Sequence, residues 1–199
     1  NKMLKRKRGD NSEDSEESED NLIAVNQNKI TFYSDINYKS CFELIKAIDN
    51  VKSNIRSEKI SEYEEEKTIY LHICSNGGEV YPALAVIDHI RNSSVKIITV
   101  NEGCVASAGV LITLAGHERY ITKNSYMLIH EIRGGCWGKY SECIDDMTNN
   151  KVLMKHLKKY IKERTNNKLP EDNLDELLKH DIIWNAKKCL KYGLIDKIV

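Results

Sequence analysis

Two kinds of apolar pattern alternate along the chain. Short, β-branched apolar runs are separated by stretches in which apolar residues recur every three or four positions. Leu22–Val25 and Lys29–Tyr33 read as strands, and Asp35–Val51 carries helical periodicity through Cys41, Leu44, Ile45 and Ile48. Thr68–Cys74 is almost continuously apolar, as a strand buried on both faces is. Val80–Arg91 places Val80, Leu84, Ile87 and Ile90 on one side and Asp88 and Arg91 opposite, which predicts an amphipathic helix. Its Pro82 lies in the first turn, where proline is tolerated. Val95–Val100 predicts a strand and residues 106–115 a buried helix. Glu118–Thr122 and Tyr126–His130 follow as strands. Tyr140–Thr165 reads as one long helix with Ile144, Met147, Leu153, Leu157 and Ile161 as its stripe. A short helix over Leu174–Lys179 precedes Asp181–Trp184. Asn185 then caps a helix over Ala186–Tyr192, Gly193 stops it, and Leu194–Val199 closes as a strand. Strands alternating with helices predict an α/β fold with a mostly parallel sheet and right-handed crossovers.

Two stretches stand outside this pattern. Residues 1–20 join a basic cluster, Lys5–Arg8, to an acidic, serine-rich run, and so predict a disordered charged tail ahead of a single domain over 21–199. The basic cluster has the makings of a localisation signal or a phosphate patch, against the plainer reading of a solvated tail. Residues 52–67 are almost all polar and read as an exposed insertion or a solvated extension of the preceding helix.

Composition narrows the function. The 199 residues suffice for one domain with a real core. Lys and Arg number 30 against 30 Asp and Glu, so no bulk basic field points to nucleic acid. No apolar run approaches the roughly 18 residues that cross a bilayer, and the start carries no secretory pattern. The six cysteines show no CxxC spacing. Most sit in apolar runs and read as small buried hydrophobes of a reducing compartment, cytoplasmic or organellar. A zinc site from Cys136, Cys143 and a histidine is the minor alternative.

The chemistry gathers around Gly103–Gly109. A strand, a small-residue turn and a buried helix place Ser107 where the helix begins, near the positive end of its dipole. That is the mechanics of a nucleophile elbow, although the letters are not Gly-x-Ser-x-Gly; the bland alternative is a serine N-cap in a tight packing site. The turn Ser75–Gly78 follows another apolar strand, so both turns belong at the carboxyl edge of a parallel sheet, where sites gather. His130 ends a later strand and reaches the same edge, as a base for the serine or as a structural histidine. The Gly77–Gly78 turn and the Ala108 N–H offer donors for a developing oxyanion, each worth roughly 3 kcal/mol. Asp181 reads from position alone as a cap or an orienting acid, level with Asp175.

Four stretches in this order, Ile69–Gly78 (IYLHICSNGG), Gly103–Gly116 (GCVASAGVLITLAG), Asn124–His130 (NSYMLIH) and Asp181–Asp196 (DIIWNAKKCLKYGLID), make the chain from about Ile30 to Val199 resemble the Clp-type serine protease proteolytic subunit of the crotonase-like superfamily. The resemblance implies a crotonase-like ββα spiral (the ClpP fold) with a protruding helical handle, formed by the helix from Tyr140. It implies a serine endopeptidase in which Ser107 is the nucleophile, His130 the general base and Asp181 the acid that orients it. Gly78 and Ala108 match the oxyanion donors, and Gly134 and Gly135 the segment beside the substrate-binding strand. It implies peptides or unfolded proteins as substrate, a homo-oligomer built as a heptameric ring or double ring, and an AAA+ unfoldase as partner. Neither a metal nor an organic cofactor is implied, and neither nucleic acid nor a membrane.

The chain departs from the family pattern at several positions. Asn76 replaces the usual proline, and Glu131-Ile132 the usual glutamine-proline after the histidine, adding a negative charge near the base. His180 replaces an arginine of the ring-ring contact. The charged tail stands where the axial hairpin is expected, and residues 52–67 lengthen the region near the unfoldase-docking pockets. The departures at Glu131 and His180 keep open a catalytically impaired ring or scaffold subunit; beside it stand an acyl-CoA enzyme, which shares the implied fold, and a narrow processing protease of a virus or phage, which the Asn/Lys/Ile-rich composition suits.

Overall fold

In the computed structural model, residues 22–57, 67–169 and 171–199 are described. The charged tail expected over residues 1–20, and most of the polar stretch 52–67, lie outside them. The chain order is β1 (Leu22–Asn26), β2 (Lys29–Tyr33), α1 (Tyr38–Ser57), β3 (Ile69–Ser75), α2 (Val80–Arg91), β4 (Ile97–Ala106), α3 (Ala108–Ala115), β5 (Glu118–Ile121), β6 (Tyr126–Leu128), α4 (Tyr140–Arg164), α5 (Glu171–Leu178), β7 (Ile183–Asn185), α6 (Ala186–Lys191) and β8 (Lys197–Ile198). Eight strands form one sheet in the order β1-β2-β3-β4-β5-β8, with β6 against β4 and β7 against β6. The central pairs are parallel. The β1–β2 hairpin and the β6–β7 pair are antiparallel.

β4 is the organising strand. One edge carries β3 along most of its length. The other edge is divided: Ile98–Asn101 pair with β5 and Cys104–Ala106 pair with β6. Gly103 sits in the break with φ 61°, a conformation open to glycine. The sequence pattern ends this strand at Val100 because Asn101-Glu102-Gly103 interrupts the apolar run. The strand continues because the Asn101 side-chain oxygen and the Glu102 carboxylate find partners. Asn101 is buried and accepts from the Thr113 hydroxyl at 2.7 Å. The Glu102 carboxylate takes the Tyr33 hydroxyl and the His72 ring at 2.7 Å from neighbouring strands.

α3 is buried at every position from Ala108 to Ala115, as its unbroken apolar sequence requires. α1 reaches Ser57, so residues 52–57 extend the helix, and its buried face is Ser40, Cys41, Leu44, Ala47, Ile48 and Val51. α4 behaves differently. Of its predicted stripe only Leu157 and Ile161 are buried, whereas Ile144 and Met147 are exposed. Its N-terminal half therefore stands off the domain, with Tyr140 bare at its first position and Trp137 bare just ahead of it.

A buried arginine ties the C-terminal elements to the sheet. Arg119 is 5% exposed and donates to the Asp196 carboxylate through Nε at 2.9 Å and Nη2 at 2.5 Å. Its Nη1 donates to the carbonyls of Arg164 and Gly193. Arg164 in turn donates to the Leu114 and Gly116 carbonyls that end α3. β5, α3, α4 and the approach to β8 are thus fixed to one another. Burial pushes the Asp196 carboxyl upward, but the guanidinium outweighs it and holds the group below the usual carboxylate range. A depressed folded-state pKa adds stability above the unfolded value near 4, lost as pH falls through the folded value. Asp196→Asn should therefore destabilise the protein at pH 7 by about 1–3 kcal/mol, less than a wholly buried pair because Asp196 keeps solvent contact. In urea titrations at pH 7 and pH 3, the gap between variant and parent should shrink at the lower pH.

Candidate active site

Ser107 joins β4 to α3 with φ 54° and ψ −124°, a strained setting for a residue that carries a Cβ. Two backbone bonds hold it there. The Ser107 N–H donates to the Leu128 carbonyl at 2.8 Å, and the Ser107 carbonyl accepts from the Val110 N–H at 3.0 Å. The first of these joins the elbow to β6, so the segment running into His130 leaves the sheet beside Ser107. The strand runs up to Ala106, and the small-residue turn predicted over Gly103–Gly109 narrows to Ser107 alone.

The second turn presses against this elbow. Gly77 has φ 97° and Gly78 φ 140°. A Cβ at Gly77 would come within 2.6 Å of the Ser107 Cβ and 3.2 Å of the Ala108 nitrogen. At Gly78 it would strike the Ile36 carbonyl oxygen at 2.2 Å. Glycine is required at both positions by space and by φ. Ile36 pins the turn from the far side, donating to the Gly77 carbonyl at 2.7 Å and accepting from the Glu79 N–H at 2.8 Å. Asn76 leaves the turn intact, as expected for a good turn residue. Among the described residues, the Gly78 and Ala108 N–H groups have no acceptor. A cleft of about 770 Å³ opens over the glycines, walled by Ile36, Ile132, Arg133 and Leu153.

His130 and Asp181 are brought into one neighbourhood by the bond from the Glu131 N–H to the Leu178 carbonyl at 2.8 Å. They are not bonded to each other. His130 Nδ1 faces the Glu131 carbonyl oxygen at 2.5 Å. Asp181 pairs with Arg133. His180, the other departure, lies just beyond α5 and bonds back to Glu176 at 2.9 Å. Gly134 and Gly135 lie in an exposed irregular segment, where an added Cβ meets nothing within 4 Å.

Sequence reasoning missed two features here. Arg133 gave a signal only as a lone cation three residues after the histidine. The other is the disulfide between Cys136 and Cys143, whose Cα atoms lie 5.5 Å apart. It joins the glycine segment to the first turn of α4. These two cysteines are therefore not buried free thiols, and they leave no thiolate for zinc. A disulfide suits oxidising surroundings or a redox role, while Cys41, Cys74, Cys104 and Cys189 are free thiols, two of them buried. Among the described residues no group of histidine, cysteine and acidic side chains is arranged to hold a metal, and no helix is long and apolar enough to cross a membrane.

A forked parallel sheet with a strained serine at a strand-to-helix turn, facing a glycine turn whose Gly78 N–H has no acceptor among the described residues, defines a crotonase-like fold. The Clp protease family model matches residues 24–199. The chain is 32% identical over 139 residues to ATP-dependent Clp protease proteolytic subunit 1 of Leifsonia xyli subsp. xyli, covering 68% of each. It is 30% identical over 138 residues to the proteolytic subunit 2 of Synechococcus sp. (strain CC9605), covering 68% of this chain and 69% of that one. Among solved structures, a ClpP1 mutant from Listeria monocytogenes superposes with a TM-score of 0.73 at 21% identity, over 87% of this chain and 91% of that one. The chain belongs to the Clp protease family, a family of peptidases, and has its fold.

Gly77→Ala should lower the melting temperature by an amount matching about 1–3 kcal/mol, since it adds both a clash and a strained φ. Gly134→Ala should leave it unchanged, and thermal melts of the two variants beside the parent check both.

Proposed function

We propose that this protein is a serine endopeptidase acting on unfolded proteins or peptides. The observation that carries the reading is the pair of unpartnered N–H groups, Gly78 and Ala108, flanking the strained Ser107. In this reading the Ser107 hydroxyl attacks the peptide carbonyl carbon while His130 takes its proton. Asp181 accepts from the other ring nitrogen and stabilises the imidazolium. The oxyanion sits on the Gly78 and Ala108 N–H groups, at the positive end of α3. Collapse breaks the C–N bond, and His130 returns the proton to the leaving amine. Water, activated by the same histidine, then frees the acyl group from Ser107. The peptide pairs in extended form beside Gly134 and Gly135, mainly through its backbone, which suits low sequence selectivity.

Two movements complete this set: the His130 ring leaves the Glu131 carbonyl, and Asp181 leaves Arg133. Catalytic hydrogen bonds commonly tighten only when substrate is bound. The Arg133–Asp181 pair also supports a second reading, an impaired ring subunit whose acid stays engaged elsewhere.

A site with little selectivity needs shielding, and copies of this chain closed into a ring, heptameric or stacked as two, supply it through one repeated contact. Bare apolar side chains along Trp137–Val152 suit such contacts. The names of the relatives, ATP-dependent proteolytic subunits, support a separate ATP-driven unfoldase as feeder.

Ser107→Ala should abolish peptide hydrolysis and fluorophosphonate labelling while the circular dichroism spectrum stays unchanged. Asp181→Asn should cut kcat by about 10²–10⁴. Absence of labelling in the assembled parent protein favours the impaired subunit, and turnover by Ser107→Ala equal to the parent's removes the endopeptidase reading.

A further inference from the structure

Arg133 stands between the cleft and the acid of the proposed triad. It lines the cleft beside Gly77, Gly78 and Ile132. Its guanidinium pairs with Asp181, and the side chains are 68% and 51% exposed. Neither has another hydrogen-bond or ion-pair partner among the described residues. Arg133 is also the one cation among the described residues lining the cleft. The cleft's two acids, Asp35 and Glu79, do not pair with it.

Taking Ser107, His130 and Asp181 as the catalytic set, we infer that Arg133 selects peptides with a carboxylate side chain one or two residues from the bond being cut. That carboxylate takes Arg133 and releases Asp181 to His130. The exchange is balanced, because one carboxylate replaces another on the guanidinium and no covalent bond changes. Asp181 then accepts from Nδ1, and the ring turns from the Glu131 carbonyl so that its other nitrogen faces Ser107.

Three physical points support the exchange. Asp181 holds the guanidinium through Nη2 alone, so a substrate acid that takes Nη2 together with a second guanidinium nitrogen, as a bidentate carboxylate does, displaces it. A solvent-exposed pair is weakly held and yields readily. A peptide already fixed by its backbone presents its acid at high effective concentration, which favours exchange over binding of a free carboxylate. A neutral side chain leaves Arg133 on Asp181, and a basic one is repelled. Arg133 is thus a specificity-determining residue that also positions Asp181.

Two peptides identical except for Glu or Gln near the scissile bond test this. With the parent protein, kcat on the Glu peptide should exceed that on the Gln peptide by about two- to five-fold, the range set by the worth of an exposed ion pair. Ser107→Ala should bind the Glu peptide more tightly by fluorescence anisotropy, and the difference should fade in high salt. Arg133→Met should erase both differences and raise kcat on the Gln peptide, whereas Arg133→Lys should keep part of the preference. Equal handling of the two peptides by the parent, or a Glu preference surviving in Arg133→Met, overturns the inference. Turnover without discrimination overturns it and leaves the endopeptidase reading standing. Discrimination in binding without any turnover supports carboxylate recognition and removes that reading.

Discussion

A strand has two edges, and β4 must serve three neighbours. β3 occupies one edge, while β5 and β6 divide the other on either side of Gly103. The divided edge lets β6 leave the plane set by β5 and arrive beside the end of β4. Ser107 then has a neighbour, Leu128, whose carbonyl takes its N–H. If β4 ended with its apolar run, the elbow would hang on a loop. Because it continues, the serine stands on the end of a buried strand and the start of a buried helix, which is the kind of support that holds reacting groups in place.

The elbow's strain is stored between rigid neighbours. A positive φ on a serine costs on the order of 1–3 kcal/mol and persists only where its surroundings over-determine it. Here the Gly77 backbone, the Leu128 carbonyl and the first turn of α3 do so. The glycine turn is itself fixed through Ile36. His130 and Asp181 follow short elements and hold partners outside the proposed triad. In the proposed reading the donors and the nucleophile are built in, whereas the base and its acid must be recruited.

The parts legible in the sequence were those in which local pattern and tertiary role agree. The apolar run of β3, the all-apolar α3 and the Asn185 cap, whose side chain accepts from the Lys188 N–H, follow directly from residue type. The family resemblance also supplied an order of stretches that no single element carries. The apolar pattern ends β4 early because Asn101 and Glu102 look like a loop until Thr113, Tyr33 and His72 are known to meet them. The inward stripe of α4 was over-read, since periodicity shows that a face is apolar and not what covers it. The Cys136–Cys143 bond needed the path of the glycine segment, which has no pattern of its own. Arg133 was passed over because a single exposed cation in a loop carries no periodic signal at all.

Among the described residues, the first half of the longest helix buries no side chain against the domain. A helix in water draws little stability from its own turns, so the first half of α4 depends on what lies against it. Anything that binds only the folded form and covers Tyr140, Ile144 and Met147 adds its binding free energy to the folding equilibrium. Where that cover is a second copy of this chain, the thermal midpoint becomes a quantity with a concentration axis, and dilution alone acts on it as a mild denaturant.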